Sequence, residues 1–194
     1  MLGAAAYSKE KLQEAIAEIR SLTDKPFAVN LTLLLPGARG LIQTVLDAKV
    51  PVINLALGRI KDIVDATHAY GGKILATVAM VKHAQFYEKD GADALSVTGY
   101  EAAAHSANVG ALVLIPAVAK KVKVPIVAAG GISDGRGLVA ALALGAEGVS
   151  LGTRFALTTE SVVHEVYKKK ILAATEEDTI LSDRFDGVNC RVLK

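Results

Sequence analysis

The sequence is poor in the features that would assign it at once to several protein classes. Its 194 residues include one cysteine, Cys190, and no tryptophan. A single cysteine excludes an internal disulfide, so a reducing, cytoplasmic compartment is expected. The N-terminal segment has neither the basic stretch nor the long apolar core of a signal peptide. The most apolar run, residues 109–119, contains a glycine and a proline and is too short to cross a bilayer, so no membrane contact is expected.

An excess of charge of one sign is also missing. The chain has 22 Lys and Arg residues against 20 Asp and Glu residues, which gives a formal net charge of +2. Its one run of three consecutive basic residues, 168–170, lies in a helix-like segment. A solvated helix face is favoured there over a nucleic-acid patch, so no nucleic-acid partner is expected.

Several catalytic signatures are absent as well. The sequence has no GxxxxGK(S/T) phosphate loop and no HExxH or CxxC pair. P-loop nucleotide chemistry and a metal site are therefore not expected. What remains is a chain of 52% hydrophobic and 22% charged residues, which is typical of a folded protein with one sizeable core.

Short, nearly continuous apolar runs alternate with helix-like segments along the chain. The runs begin at residues 26, 50, 73, 92, 124 and 147. Such runs are typical of strands that are buried on both faces of a parallel sheet. The clearest helix pattern lies between residues 8 and 22, with Ser8 as its predicted N-cap and with Leu12, Ile16 and Ile19 on one face.

The spacing of these runs predicts the fold. Successive strand starts lie 19–24 residues apart, except for one interval of 32 residues whose additional length follows a strand and contains His105. Repeated βα units of this size predict one domain over residues 1–194, an α/β fold of the (β/α)8 TIM-barrel type. The barrel is incomplete, with about six βα units and an N-terminal stub of the second strand. A doubly wound open sheet is the alternative.

Three helix-to-strand junctions share a pattern. Gly91 and Gly145 stand where a helix ends and a strand begins, which is a position where glycine commonly adopts a left-handed conformation. At the corresponding place before the strand at residue 50, the sequence has Lys49 instead. The repeat is therefore imperfect.

Two successive strands are predicted to end in glycine. Gly130 and Gly131 follow one strand, and Gly152 follows the next, 22 residues after Gly130. Parallel strands end at the same edge of a sheet, and glycine lets backbone N–H groups approach an anion closely. Ser133 and Asp134 are the candidate N-caps of the helix between the two strands. The glycines either allow tight turns alone or form a phosphate site, as barrels commonly do after their last two strands, and we favour the phosphate site.

Three long segments together resemble the nitronate monooxygenases, a family formerly called 2-nitropropane dioxygenases. They are TGYEAAAH, LIPAVA and VPIVAAGGISDGRGLVAALALGAEGVSLGTRFALTTES, in that order. TDKPFAVNL near the start and the C-terminal tail are similar too, so the resemblance covers essentially the whole chain, without the family's first strand and its helix. It implies a TIM barrel that binds FMN non-covalently and oxidises alkyl nitronates or nitroalkanes with O2 to carbonyl compounds and nitrite.

The resemblance also implies which residues form the site. His105, at the end of EAAAH where many members have an EAGGH-like motif, matches the family's catalytic histidine. Asn30, Thr98 and Ala103 match positions that contact the flavin. The FMN phosphate would lie on six residues: Gly130, Gly131, Ser150, Leu151, Gly152 and Thr153. The partners implied are a small-molecule nitronate and O2.

The residue type of His105 suits this chemistry. An imidazole can abstract the acidic α-proton of a nitroalkane near neutral pH, and with a preformed nitronate it would instead bind or orient the anion. From the residues alone, an ordinary loop histidine is the alternative. The position of His105 in the lengthened loop after a strand, on the face where barrels carry their active sites, favours the functional role.

Two further hypotheses remain open. One is an FMN-dependent enoyl-acyl-carrier-protein reductase, which is a related barrel. The other is a truncated, non-catalytic barrel remnant or assembly partner, because missing strands would leave sheet edges unpaired and such edges pair with other chains. A homo-oligomer is compatible with each of these hypotheses.

Overall fold

Strands and helices alternate along most of the chain. The computed structural model describes residues 1–105, 107–184, 187 and 189–194. In this part of the chain the strands are β1 (Leu2–Gly3), β2 (Ala28–Thr32), β3 (Val52–Ala56), β4 (Lys73–Val78), β5 (Ala94–Thr98), β6 (Ala104–His105), β7 (Ile126–Ala129), β8 (Gly148–Ser150), β9 (Thr179–Ser182) and β10 (Cys190–Leu193). The helices are α1 (Lys9–Leu22), α2 (Ala38–Asp47), α3 (Lys61–His68), α4 (Val81–Lys89), α5 (Ala111–Ala119), α6 (Gly135–Ala143), α7 (Thr153–Ala156) and α8 (Glu165–Ala173).

The six predicted strands are confirmed close to their predicted starts. They begin at residues 28, 52, 73, 94, 126 and 148. The N-terminal stub is confirmed as the short strand β1, which pairs with β2. None of the helices in the described part of the chain is long and apolar enough to cross a membrane.

The order of the strands identifies the fold. Among the described residues, seven strands are hydrogen-bonded in the order β1-β2-β3-β4-β5-β7-β8, which is their order along the chain apart from the two-residue β6. A doubly wound sheet would contain a reversal of strand order, so that alternative is wrong. Sequential parallel strands that alternate with helices are typical of the TIM barrel, which has eight. The prediction of an incomplete (β/α)8 fold is confirmed.

The chain divides into two compact units, of which the first consists of Met1–Val78 and Lys82–Leu95. Its strands β1 to β4 are all parallel. Along β2, Val29 and Leu31 are 0% and 1% exposed, whereas the residues between them are half-buried. One face of this strand is therefore fully buried, and the alternate residues, which include Asn30, lie on the other face.

Helix α1 begins as its sequence predicts. The hydroxyl of Ser8 accepts a hydrogen bond from the backbone N–H of Lys11 at 3.3 Å, which confirms the predicted N-cap. Leu12 and Ile16 are 0% and 2% exposed, so the predicted apolar face of the helix is the buried one. Ile19, on the same face, is half-buried.

The second unit consists of Ala79–Val81 and Ser96–Lys194. It contains the parallel pair β7 and β8. It also contains an antiparallel hairpin of β9 and β10, in which Cys190 lies opposite Ser182. The hairpin is a feature that the strand pattern does not predict. A single domain over residues 1–194 stays a prediction.

The three helix-to-strand junctions adopt the same backbone conformation. Gly91 and Gly145 have φ angles of 99° and 100°, as the prediction requires. Lys49 also lies in the left-handed region, with φ of 46°. Lys49 therefore adopts a left-handed conformation although it is not glycine. This conformation has a steric cost, which other contacts of the fold must offset.

The interpretation of residues 168–170 as a solvated helix face is wrong at the first lysine. Lys168, in α8, is 5% exposed. Its ammonium group donates to the carbonyl oxygen of Ser161 at 2.8 Å and lies 3.0 Å from the carboxylate of Glu165. A lysine can bury its aliphatic stem when its charged end finds such acceptors, which a count of charges along the sequence does not reveal.

Candidate functional site

Glycines lie at the edge of the sheet where β7 and β8 end. We call Gly130, Gly131 and residues 150–153 together the glycine edge. Ala129 lies opposite Ser150 in the parallel pair, so the residues that follow β7 and β8 come to the same edge. Gly130 and Gly131 have φ angles of 94° and 67°, a region that other L residues rarely adopt. A Cβ atom on Gly130 would also lie 2.7 Å from the Cβ of Ala102. Both backbone conformation and packing therefore require glycine at residue 130.

The neighbouring segment, residues 150–153, reaches the same edge at the end of β8. Ser150 and Leu151 are half-buried, whereas Gly152 and Thr153 are exposed. A Cβ atom on Gly152 would meet no atom within 4 Å, and its φ of −96° is open to any residue. Open space beside exposed backbone fits an anionic group such as a phosphate. The six residues predicted to hold a phosphate thus lie at one edge, and their contact with it stays a prediction.

Helix α6 has its own carboxylate at its N-terminus. Asp134 accepts hydrogen bonds from the backbone N–H groups of Arg136, at 2.9 Å, and Gly137, at 3.3 Å, so one of the two candidate N-caps is confirmed. The Arg136 side chain, followed by these two N–H groups, lowers the pKa of Asp134 to about 2. Asp134 is therefore charged at neutral pH. The carboxylate of Asp134 already occupies the N-terminus of α6. The predicted phosphate site therefore does not include this helix end and consists of the glycine edge alone.

The loop that carries His105 leaves the end of β5 and contacts the glycine edge. The N–H of Gly99 donates to the carbonyl of Ala129 at 3.2 Å, and the N–H of Ala102 donates to the carbonyl of Gly99 at 3.0 Å. Ala102 is the residue that approaches Gly130. His105 follows in β6 and is half-buried. The start of the EAAAH motif and the predicted phosphate residues are therefore brought together.

Alanine suits the backbone of this motif. Among the described residues, the non-glycine residues with positive φ are Lys49 and Leu57, so Ala103 needs no left-handed conformation. Thr98, the other predicted flavin-contacting residue of this unit, is half-buried at the end of β5. The EAAAH form of the motif is thus compatible with the observed loop.

Arg191, in the C-terminal hairpin, contacts the same loop. Its Nε donates to the carbonyl oxygen of Tyr100 at 3.0 Å, and its guanidinium carbon lies 4.3 Å from the centre of the Tyr100 ring. An isolated bridge also joins Arg191 to Ala103. No local pattern in the sequence marks this contact, because it joins residues 91 positions apart.

Glu101 supports the loop from its other end. Its carboxylate accepts a hydrogen bond from the backbone N–H of Ala111, the first residue of α5, at 2.9 Å. The residue before that helix, Gly110, has no side chain that could cap it. Glu101 therefore takes the place of a local N-cap and fixes the loop to the helix that follows it.

Asn30, the remaining predicted flavin-contacting residue, belongs to the first unit. It lies in β2 and its side-chain amide donates to Oδ1 of Asn54, its register partner in β3. Asn54 is 2% exposed and in turn donates to the carbonyl of Leu75 at 2.9 Å and to the hydroxyl of Thr77 at 3.1 Å. Neither Asn54 nor Thr77 is among the site residues predicted from the sequence, although a polar residue inside a buried apolar run is a usable signal.

Known proteins resemble this chain over most of its length. The family model for nitronate monooxygenase matches residues 37–194. A (3aS,4S,5R,7aS)-5-hydroxy-7a-methyl-1-oxo-octahydro-1H-indene-4-carboxyl-CoA dehydrogenase of Rhodococcus jostii is 39% identical over 193 residues. A probable nitronate monooxygenase of Staphylococcus haemolyticus is 30% identical over 237 residues, which include 98% of this chain. The solved structure of FabK from Thermotoga maritima superposes with a TM-score of 0.92 at 41% identity, over 98% of this chain.

The chain is shorter than these proteins. The matches include 98% or more of this chain but 55% of the Rhodococcus protein, 66% of the Staphylococcus protein and 61% of the FabK chain. The match to the family model nevertheless includes the glycine edge, the EAAAH loop and the hairpin that contacts it. The chain belongs to the nitronate monooxygenase family.

Proposed function

We propose that this chain binds FMN and acts as an oxidoreductase. The observation that carries the proposal is the glycine edge that follows β7 and β8, where exposed backbone and open space at Gly152 suit a phosphate. Membership of the nitronate monooxygenase family supports the same cofactor. Bound FMN would supply a two-electron acceptor, which protein side chains do not offer.

The chain's own residues would bind and orient the reactants. Gly130, Gly131 and residues 150–153 would hold the phosphate with backbone N–H groups. Asn30, Thr98 and Ala103 would contact the rest of the flavin. His105 would remove the acidic proton next to a nitro group or, with a preformed nitronate, orient the anion.

Two substrate classes are candidates for this chemistry. The first is an alkyl nitronate or nitroalkane, which would be oxidised with O2 to a carbonyl compound and nitrite; the family's name supports the nitronate. The second is a thioester of coenzyme A or acyl carrier protein. The relatives favour the second class, because the CoA dehydrogenase and FabK are 39% and 41% identical to this chain, against 30% for the probable nitronate monooxygenase.

A comparison of FMN with riboflavin tests the cofactor proposal, because riboflavin lacks the phosphate. The wild-type chain should quench the fluorescence of added FMN and bind riboflavin at least tenfold more weakly, since the charge-assisted hydrogen bonds to phosphate would be lost. Gly152→Asp would place a carboxylate in the open space and abolish the preference for FMN. Gly152→Asn, of the same size but uncharged, is the matched control and should keep most of it.

The same proteins decide between the hypotheses. A wild-type chain that binds neither flavin would contradict the proposal and favour the non-catalytic remnant. If FMN binds, oxygen uptake with an alkyl nitronate and NAD(P)H oxidation with an enoyl thioester separate the two substrate classes. His105→Gln should bind FMN normally and lose turnover with whichever substrate the wild-type chain accepts.

Three other expectations stay predictions: cytoplasmic location, the absence of nucleic-acid and membrane partners, and a homo-oligomer. Exposed apolar side chains on the outer helices of the second unit are compatible with self-association. Leu112 and Val113 of α5 are 71% and 64% exposed, and Val139 of α6 is 66% exposed. Light scattering would measure the number of subunits.

A further inference from the structure

A row of polar side chains crosses three parallel strands of the first unit. Asn30 of β2, Asn54 of β3 and Thr77 of β4 are joined by side-chain hydrogen bonds. Asn54, at the centre, is 2% exposed, so each of its polar atoms needs a protein partner. Its Oδ1 accepts from Asn30, and its Nδ2 donates to the carbonyl of Leu75 and to Thr77. Asn54 is therefore fully hydrogen-bonded.

The Leu75 carbonyl determines how the Asn54 amide is oriented. A backbone carbonyl can only accept hydrogen bonds, so the Asn54 atom that lies 2.9 Å from it must be the nitrogen. The hydroxyl of Thr77 can donate or accept, and it lies closer to that nitrogen, at 3.1 Å, than to Oδ1, at 3.4 Å. The oxygen of Asn54 must then face Asn30.

The orientation of Asn30 follows from that of Asn54. An oxygen atom of Asn54 faces Asn30, so Asn30 must present its nitrogen there as the donor. Its own carbonyl oxygen is consequently turned away from Asn54. Asn30 is half-buried, and it lies on the face of β2 opposite to the fully buried Val29 and Leu31. Without Asn54, the side-chain amide of Asn30 could rotate by half a turn and present a donor instead of an acceptor.

We propose that Asn54 is a positioning residue, which fixes the Asn30 side chain so that it offers a hydrogen-bond acceptor, and not a donor, to a bound ligand. The inference rests on the proposed function, in which that ligand is FMN. Flavins have a ring N–H and ribityl O–H groups that could donate to such an acceptor. The backbone carbonyl of Leu75 thus fixes the orientation of the Asn54 amide, and the Asn54 amide fixes the orientation of the Asn30 amide that would contact the ligand.

The orientation can be measured without any ligand, by NMR of the side-chain amides in the ¹⁵N-labelled chain. The Asn30 signal is assigned by its loss in Asn30→Asp. In the wild-type chain one Asn30 amide proton should exchange with solvent about tenfold more slowly than the amide protons of exposed asparagines, because it is bound to Asn54. Asn54→Leu, which has similar volume and no hydrogen-bonding atoms, should abolish this protection. If Asn54→Leu does not fold, Asn54→Ser, which is too short to reach Asn30, gives the same comparison.

Thr44→Val is the matched control. Thr44 is 5% exposed in α2 of the same unit, and its hydroxyl donates to the carbonyl of Gly40 at 3.0 Å, outside the polar row. This variant should lose stability and leave the Asn30 signal unchanged. Thr77→Val should have a small effect, since the Leu75 carbonyl alone orients the Asn54 amide.

FMN titration of the same variants tests the second half of the inference. Asn54→Leu should bind FMN about tenfold more weakly than the wild-type chain, and Thr44→Val should bind it equally well. An Asn30 amide proton that stays protected in Asn54→Leu, or an unchanged FMN affinity in that variant, would overturn the inference. A wild-type chain that does not bind FMN would overturn both the proposed function and the role of Asn30 toward a flavin, while the NMR result would still decide whether Asn54 orients Asn30.

Discussion

The two units differ in the polar groups that their parallel strands present. In the first unit, β2, β3 and β4 carry polar side chains that are hydrogen-bonded to one another across the sheet. In the second unit, β7 and β8 are followed by glycines, of which Gly131 and Gly152 are exposed and Gly130 is half-buried. The first arrangement depends on side chains, whereas the second depends, at Gly130 and Gly131, on backbone angles that few residues can adopt. Substitutions should therefore have different consequences in the two units.

The largest effect is expected at Gly130. Gly130→Ala would force an L residue to a φ of 94° and bring its Cβ to 2.7 Å from the Cβ of Ala102. We expect a loss of about 3 kcal/mol or more in the free energy of unfolding, measured with denaturant. Gly152→Ala, with φ of −96° and no neighbour within 4 Å, should change that free energy by less than about 0.5 kcal/mol. Equal effects of the two substitutions would contradict the account of the glycine edge.

A smaller effect, dependent on pH, is expected at Asp93 in the first unit. Burial raises the pKa of this carboxyl, but hydrogen bonds from Lys73, from the N–H of Ile74 and from His68 outweigh it and leave the pKa below its usual value. Because the pKa is lower in the folded chain than in the unfolded chain, the stabilisation is present at neutral pH and is lost as the pH falls through the lowered pKa. Asp93→Asn should cost about 2 kcal/mol at pH 7, and the difference in stability between the wild-type and variant chains should shrink as the pH falls.

Denaturant titrations between pH 7 and pH 2 would measure this difference. Asp65→Asn is the control, because Asp65 pairs with Lys61 on the exposed surface of α3 and should contribute less than about 0.5 kcal/mol. If wild-type and Asp93→Asn chains lost stability in parallel as the pH fell, Asp93 would not be the group responsible.

The third effect concerns the hairpin of the second unit. Arg191→Leu removes the hydrogen bond to the Tyr100 carbonyl and the contact with its ring, at an expected cost of about 1 kcal/mol. Hydrogen exchange at residues 99–103 should then become faster, while exchange in β2 and β3 stays unchanged. Arg191→Lys keeps the charge but loses the Nε donor, so its exchange rates should fall between the two. Unchanged exchange in the loop would show that the hairpin does not stabilise it.

The smallest effect is expected at Glu101. Glu101→Gln keeps an acceptor for the N–H of Ala111 but removes a negative charge from the N-terminus of α5. We expect a loss of about 0.5 kcal/mol, which high salt should reduce. Glu101→Ala, which removes the acceptor as well, should cost about twice as much. A salt-independent loss in Glu101→Gln would argue against the interaction with the helix dipole.

The sequence predicts the repeating part of the fold well and the contacts between distant residues poorly. Apolar runs placed the six main strands within two residues of their observed starts, because burial on both faces leaves a local signal. Lys49 interrupts the glycine pattern in the sequence, yet its backbone has the positive φ that the glycines have at the other two junctions. Backbone conformation depends on the surrounding structure as well as on residue type.

The residues of the candidate site also differ in how far the sequence alone predicts them. Gly130 and Gly131 could be found because glycine at a strand end is a local pattern. Arg191 could not, since its partner lies 91 residues away and no local pattern marks the contact. Asn54 has a local signal, a polar residue in an apolar run, but its partner Asn30 in another strand is visible only in the folded chain. The burial of Lys168 is not predictable from the sequence for the same reason. Its acceptors, the Ser161 carbonyl and the Glu165 carboxylate, come within reach of its ammonium group only in the folded chain.

The C-terminal hairpin also gives the chain an internal reporter. Cys190, its one thiol, is 3% exposed and lies 3.4 Å from the carbonyl oxygen of Ser182 across the hairpin. A thiol reagent can reach it only when β10 separates from its surroundings, and the next residue along, Arg191, is the one that contacts the EAAAH loop. The rate at which a thiol reagent labels Cys190 therefore reports how often the hairpin opens. This rate can be measured in the wild-type chain without introducing a cysteine.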